Sequence, residues 1–132
     1  VSEKRILVAE DYDVNFLVVE RFLTRGGYLV DRAATGLAAV EAASANRYDA
    51  ILMDLEMPEM DGLEATRLIR TREKETGMLP VPILALTATH DGGIHELCLH
   101  SGCDGYLAKP VRRDTVLDAV ASVTGNGPAN SR

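Results

Sequence analysis

The sequence predicts a single α/β domain built on a doubly wound parallel sheet with helices on both faces. Three observations carry that prediction. Short apolar runs recur five times, amphipathic stretches of helical spacing separate them, and the runs are continuous rather than alternating. A continuous run marks a strand buried on both faces, which is the situation in a parallel sheet covered by crossover helices. The 132 residues suit one domain and can bury about two-thirds of the unfolded surface without a disulfide framework or a structural metal.

Residues 6–9 (Ile-Leu-Val-Ala) open the pattern with a brief run, β-branched at two positions and bounded by charge. Val14, Leu17, Val18, Arg21 and Phe22 then recur at helical spacing, with Asp13 as N-cap and Gly26-Gly27 as the stop. Residues 28–33 form the second run, and Thr35 caps a helix through Leu37, Val40 and Ala43. Residues 50–53 are the third run. The helix from Gly62 to about Glu75 turns Leu63, Thr66, Leu68 and Ile69 inward and offers the charges between Arg67 and Glu75 to solvent. Pro80 and Pro82 bracket the entry to the fourth run at 83–86. Residues 94–99 make a shorter, weaker helix, because each of Gly92 and Gly93 at its start costs about 1 kcal/mol relative to Ala. Residues 106–108 are the fifth run, and residues 111–124 close the domain with Val116, Leu117, Val120 and Val123 on one face. No internal repeat or linker interrupts residues 1–124, while residues 125–132 lack an apolar anchor and are expected to be a disordered tail or linker.

Composition narrows the function. A net charge of −6 argues against direct nucleic-acid contact from this chain, since such binding rests on clustered Lys and Arg. No apolar run approaches the roughly 20 residues that span a bilayer and no signal segment opens the chain, so the expectation is a cytoplasmic domain without membrane contact. Two cysteines, Cys98 and Cys103, are too few and too close for a secreted scaffold. Val1 in place of Met suggests excision from a longer polypeptide or a processed start.

In doubly wound sheets, ligands bind outside the carboxyl ends of the strands. Glu10 and Asp11 follow the first run, Asp54 the third, Thr87 the fourth and Lys109 the fifth. Three carboxylates meeting at one rim repel one another unless a cation neutralises them. Mg²⁺ suits such oxygen ligands and is commonly shared with a phosphate, for which Lys109 and Thr87 offer a positive charge and a hydroxyl donor. An acid pair, a central Asp, a hydroxyl and an amine are together what phosphoryl transfer needs.

Four segments carry a family resemblance. They are residues 6–11 (Ile-Leu-Val-Ala-Glu-Asp), 51–62 (Ile-Leu-Met-Asp-Leu-Glu-Met-Pro-Glu-Met-Asp-Gly), 84–88 (Leu-Ala-Leu-Thr-Ala) and 105–110 (Gly-Tyr-Leu-Ala-Lys-Pro). In this order and spacing the chain resembles the receiver domains of two-component signalling from about Arg5 to Thr124. The resemblance implies a flavodoxin-like sheet of strand order 2-1-3-4-5 and a phosphoryl group taken onto Asp54 from a histidine kinase or histidine phosphotransfer domain. It implies Mg²⁺ held by Asp11, Asp54 and the backbone carbonyl of Glu56, with Glu10 acting through water. Thr87, Lys109 and the backbone N–H of Ala88 would hold the phosphoryl oxygens, and the Lys109–Pro110 peptide would be cis. Gly62 would mark the turn into the helix after Asp54, with Pro58 stiffening that loop. Thr87 and Tyr106 would switch, remodelling the face made by the fourth helix, fifth strand and last helix, which is also a candidate homodimer surface. Such a domain catalyses its own phosphorylation and dephosphorylation without turning over an external substrate. Asn15 and the wording around Asp54 resemble receivers of hybrid sensor kinases, though others of this type precede an output domain or stand alone.

Other readings compete. A flavodoxin-like cofactor binder would want a Ser/Thr/Gly-rich loop where this chain has Glu10-Asp-Tyr-Asp13. An aspartyl-phosphate phosphatase would place its nucleophile after the first strand with a second Asp two residues on, whereas Asp54 follows the third run and Glu56 stands two residues on. An interaction module without phosphorylation would keep the fold but has no need of the full rim. His90, His95, Cys98, His100 and Cys103 could ligate zinc, yet their spacing fits no common finger. Glu56 and Thr89 border, by resemblance, the path of the hydrolytic water.

Overall fold

The computed structural model describes residues 3–88 and 91–125. The chain alternates β1 (Arg5–Ala9), α1 (Asp13–Arg25), β2 (Leu29–Ala33), α2 (Gly36–Ala45), β3 (Ala50–Asp54), α3 (Gly62–Thr76), β4 (Ile83–Thr87), α4 (Gly92–Ser101), β5 (Gly105–Ala108) and α5 (Arg113–Thr124). The sheet order is β2-β1-β3-β4-β5 and every pairing is parallel, as the continuous runs and the resemblance implied.

Alternate residues of a strand point to opposite faces, so a run buried throughout feeds two cores. Ile6, Val8, Leu52 and Leu86 pack with Phe16, Val19 and Leu23 of α1 and with Val116 and Val120 of α5. Leu7, Ile51, Met53 and Ile83 pack on the other face with Val40, Ala65, Ile69 and Cys98. β3 and β4 are buried at all five positions, because both are interior strands covered on both faces.

Several helical details depart from the sequence reading. Helix α1 buries Phe16, Val19 and Leu23, while Val14, Leu17 and Val18 are 57%, 55% and 43% exposed. The helix carries two apolar stripes: the one of Phe16, Val19 and Leu23 faces the sheet, and of the other only Phe22 is part-buried against the same core. Asp13 is the first helical residue rather than the N-cap, and its carboxylate pairs with Arg32 at 2.8 Å. Tyr28 precedes β2, its N–H donating to the Leu23 carbonyl at 3.0 Å to close α1. Leu37 and Leu68 turn outward. The charged stretch of α3 is not wholly solvated: Arg70 bonds Glu73 at 2.9 Å and Asp104 at 3.0 Å, and the buried Glu73 carboxylate accepts from Val81 N at 2.8 Å. This network ties α3 to the entries of β4 and β5.

Helix α4 is longer than expected. Asp91 caps it by accepting from Gly93 N at 2.8 Å, so both glycines fall in the first turn, where a cap offsets their cost. Its far end closes on Gly102 at φ 107°, a left-handed position, with Cys103 N donating to the Cys98 carbonyl at 2.9 Å. Residues 126–132, where the tail is expected, and Thr89 and His90 lie outside the described residues. Among the described residues, no helix is long and apolar enough to cross a membrane.

Candidate functional site

The parallel register fixes where the polar residues go. Ala9 lies beside Met53, Asp54 beside Leu86, and Thr87 beside Ala108, so residues ending or following β1, β3, β4 and β5 emerge on one rim. Carboxylate oxygens of Glu10, Asp11 and Asp54 come within 4.8 Å of one another. Glu10 and Asp54 are each 1% exposed, whereas Asp11 sits at the open edge. Lys109 Nζ lies 2.8 Å from Asp54 Oδ1 and 3.7 Å from Glu10 Oε1. Asp54 Oδ1 also accepts from Glu56 N at 3.0 Å, and Glu10 Oε2 from Tyr12 N at 3.2 Å. Thr87 is buried at the end of β4, and Ala88 lines a hollow of about 370 Å³ with Glu10, Lys109 and Pro110. The Lys109–Pro110 peptide is cis.

The electrostatics suit a cation. Burial, opposed by the Tyr12 N–H and reinforced by Asp54, pushes the Glu10 carboxyl up to about 7. For Lys109, burial disfavours the ammonium, but the carboxylates of Asp54, Glu10 and Glu56 outweigh it and raise its pKa. Three oxygen-bearing acids at this separation fit a small hard divalent ion, which prefers oxygen ligands and keeps several waters.

The loop around the acids is tied down from both sides. Glu10 N donates to the Ala33 carbonyl at 3.0 Å, and Arg32 donates from Nε and Nη2 to the Glu10 carbonyl at 3.1 and 3.0 Å. Arg32 escaped the sequence reading because no motif contains it; the signal available was a basic residue one place before the end of a strand paired with β1. On the opposite side of the loop after Asp54, Gly62 opens α3 under an Asp61 cap that accepts from Glu64 N at 2.9 Å.

Tyr106 is 42% exposed on β5, and its ring stacks on His95 with centroids 3.7 Å apart. The zinc reading finds no support. Cys98 and Cys103 are buried in the core, His95 stacks on Tyr106 and His100 is exposed. Among the described residues, the group of three or more ligating side chains that converges is the acidic one. Burial raises both thiols, Cys103 to about 11. At pH 8 Cys103 in the native protein is therefore expected to react with a disulfide reagent about 100-fold more slowly than in the chain in denaturant, and Cys98 is slowed in the same direction, because thiolate is the nucleophile. Stopped-flow titration of the two thiols checks this.

The response regulator receiver domain model matches residues 6–121. The chain belongs to the receiver domain family. Histidine kinase 2 of Arabidopsis thaliana is 39% identical over 139 residues, which take in 92% of this chain and 12% of that protein. The receiver thus spans about an eighth of the length of that relative. The receiver domain of sensor histidine kinase PA1611 from Pseudomonas aeruginosa, a structure with magnesium coordinated in its active-site cleft, superposes with a TM-score of 0.84 at 43% identity, covering 94% of this chain and 99% of that one. The Saccharomyces cerevisiae receiver domain of Ssk1, solved with the histidine phosphotransfer protein Ypd1, gives a TM-score of 0.88 at 30% identity, covering 92% of this chain and 89% of that one.

Proposed function

We propose that this receiver takes a phosphoryl group onto Asp54 from a phosphohistidine, with Mg²⁺ in the acidic cluster, and passes the change to the face of α4, β5 and α5. The observation that carries the reading is the buried Asp54 carboxylate, held 2.8 Å from the Lys109 ammonium and within 4.8 Å of Glu10 and Asp11 oxygens. Asp11, Asp54 and the Glu56 carbonyl would hold Mg²⁺ directly and Glu10 through water. The ion supplies neutralising charge to the oxygens of the transferred group. An Asp54 oxygen attacks phosphorus in line, the P–N bond of the donor breaks with its electron pair returning to the imidazole, and a P–O bond completes an acyl phosphate. Lys109, the Thr87 hydroxyl and the Ala88 N–H offset charge on the equatorial oxygens. Water later cleaves the acyl phosphate, with Glu56 beside its path. The domain acts in the cytoplasm within a longer kinase.

The test is intact mass after incubation with acetyl phosphate, and separately with a phosphohistidine donor, with and without Mg²⁺. A Mg²⁺-dependent gain of one phosphoryl group, absent in Asp54→Asn, is expected. No gain from either donor would leave the interaction-module reading in its place. Thr87 and Tyr106 are the switch pair of this reading, and Leu99 and Tyr106 give the α4–β5–α5 face exposed apolar surface, suited to a partner or a second copy. Amide exchange on that face that does not change with phosphorylation would refute the output role.

A donor protein must sit over the rim for its imidazole to reach Asp54. The exposed stripe of Val14, Leu17 and Val18 suits that docking, because Val18 joins a hollow of about 340 Å³ on α1 to the rim hollow that holds Lys109. Leu17→Asp is expected to slow transfer from a histidine phosphotransfer domain at least about 10-fold, the effect of losing one moderate contact residue. Its phosphorylation by acetyl phosphate should stay within about 2-fold of wild type, since Leu17 lies outside the rim. Parallel time courses with the two donors measure both.

A further inference from the structure

Arg32 makes more contacts to one short loop than any structural need of β2 explains. Its guanidinium forks onto the Glu10 carbonyl through Nε at 3.1 Å and Nη2 at 3.0 Å. Its remaining nitrogen, Nη1, pairs with Asp13 at 2.8 Å. The guanidinium carbon lies 4.8 Å from the centroid of the Phe16 ring, so its face rests on α1. One side chain from the second strand therefore grips the loop between β1 and α1 at its first residue, Glu10, and grips α1 at its first residue, Asp13.

The Glu10 carbonyl belongs to the planar peptide unit that contains the nitrogen and Cα of Asp11. Fixing that oxygen fixes the plane from which Asp11 departs. Glu10 N is already held by the Ala33 carbonyl at 3.0 Å, so both backbone groups of Glu10 are bound to the end of β2. Asp11 is exposed and takes its position from the backbone that carries it.

We propose that Arg32 is a positioning residue for the divalent-cation site: it sets the peptide between Glu10 and Asp11 so that the Asp11 carboxylate meets that of Asp54. This rests on reading the acidic cluster as the Mg²⁺ site. A second-sphere partner of this kind typically governs metal affinity by 10- to 100-fold.

The sign of the effect separates positioning from plain electrostatics. Arg32 is a cation beside a cation site, so by charge alone its removal would tighten Mg²⁺ binding. Positioning requires the opposite. The experiment measures the Mg²⁺ dissociation constant by calorimetry on the folded chain, and the acetyl phosphate reaction over a Mg²⁺ series, for wild type, Arg32→Ala, Arg32→Gln, Arg32→Lys and Asp13→Asn. Arg32→Ala and Arg32→Gln are expected to weaken Mg²⁺ binding about 10- to 100-fold. Saturating Mg²⁺ should return their phosphorylation rate to within about 3-fold of wild type, a split that general misfolding would not give. Arg32→Lys keeps the charge but cannot fork two donors onto one oxygen, so it should weaken binding as well. Asp13→Asn should leave the constant within about 2-fold, because that ion pair is exposed. Unchanged or tighter binding in Arg32→Ala, with wild type binding normally, overturns the role of Arg32 alone. Wild type that binds no Mg²⁺ overturns the reading of the cluster itself. Arg32→Gln keeps part of the aliphatic stem and a polar end, and it carries the test if Arg32→Ala fails to fold.

Discussion

Replacing Lys109 by Ala is expected to slow phosphoryl transfer onto Asp54 by about 100- to 1,000-fold, the usual cost of removing one preorganised donor from developing charge. Nζ stands 2.8 Å from Asp54 and 3.7 Å from Glu10 in a largely buried setting, where the interaction is weakly screened. The same substitution should act in a second, separable way. Among the described residues, Lys109 is the cation within ion-pair distance of both Glu10 and Asp54. Without it, the metal-free protein keeps two buried carboxyls with no compensating charge. A loss of about 1–3 kcal/mol is expected, below the range for fully buried broken pairs because the Lys109 side chain is 17% exposed. Mg²⁺ should restore most of that stability while leaving transfer slow, since a metal among the carboxylates does not replace a donor on the far phosphoryl oxygens. Melting curves with and without Mg²⁺, set beside rates at saturating Mg²⁺, check both effects. A Lys109→Ala rate within about 3-fold of wild type would remove Lys109 from the reacting group's surroundings.

How much of this was legible in the sequence depends on the kind of interaction. The strands were readable because β1, β3 and β4 are buried on both faces and leave unbroken apolar runs. The rim was readable because strand ends in a parallel sheet share one side, so the residue after each run is a geometric statement as well as a local one. Helix faces were less legible. In α1, Val14, Leu17 and Val18 have helical spacing as good as that of Phe16, Val19 and Leu23, and periodicity cannot say which stripe meets the sheet and which stays exposed. The charged stretch of α3 misled for a related reason. Glu73 looks solvated until the Val81 N–H, beyond the end of α3, and Arg70, itself held by the distant Asp104, converge on the same corner. Arg32 belongs with these: its value comes from lying beside Val8 across the β1–β2 register, which no local pattern encodes.

Gly62→Ala should be the most damaging single-methyl change near the site, and the reason is spatial rather than conformational. Gly62 is not among the residues of positive φ, so alanine could adopt its backbone. A Cβ placed there, however, would run into the Asp54 carbonyl oxygen and come within 2.9 Å of Leu55 Cα. Both obstacles are main chain at the end of β3, and they cannot turn aside as a side chain can. The Thr66 hydroxyl donates to the Gly62 carbonyl at 2.8 Å and Gly62 N donates to the Leu55 carbonyl at 3.3 Å, so α3 cannot easily slide away. Overpacking of this kind costs about 1–3 kcal/mol, here expected near the top of that range. For a domain of this size that corresponds to a fall in Tm of roughly 5–15 °C. The strain should also be visible in the chemistry, because the atoms that must yield carry Asp54. Val120→Ala, a lesion in the core on the opposite face of the sheet, provides the comparison at similar loss of stability. At a temperature where both variants are folded, Gly62→Ala should weaken Mg²⁺ binding and slow acetyl phosphate transfer about 10-fold or more, and Val120→Ala should leave both near wild type. Equal effects in the two variants would mean that the close approach of α3 to β3 serves stability alone and leaves the placement of Asp54 to the rest of the sheet.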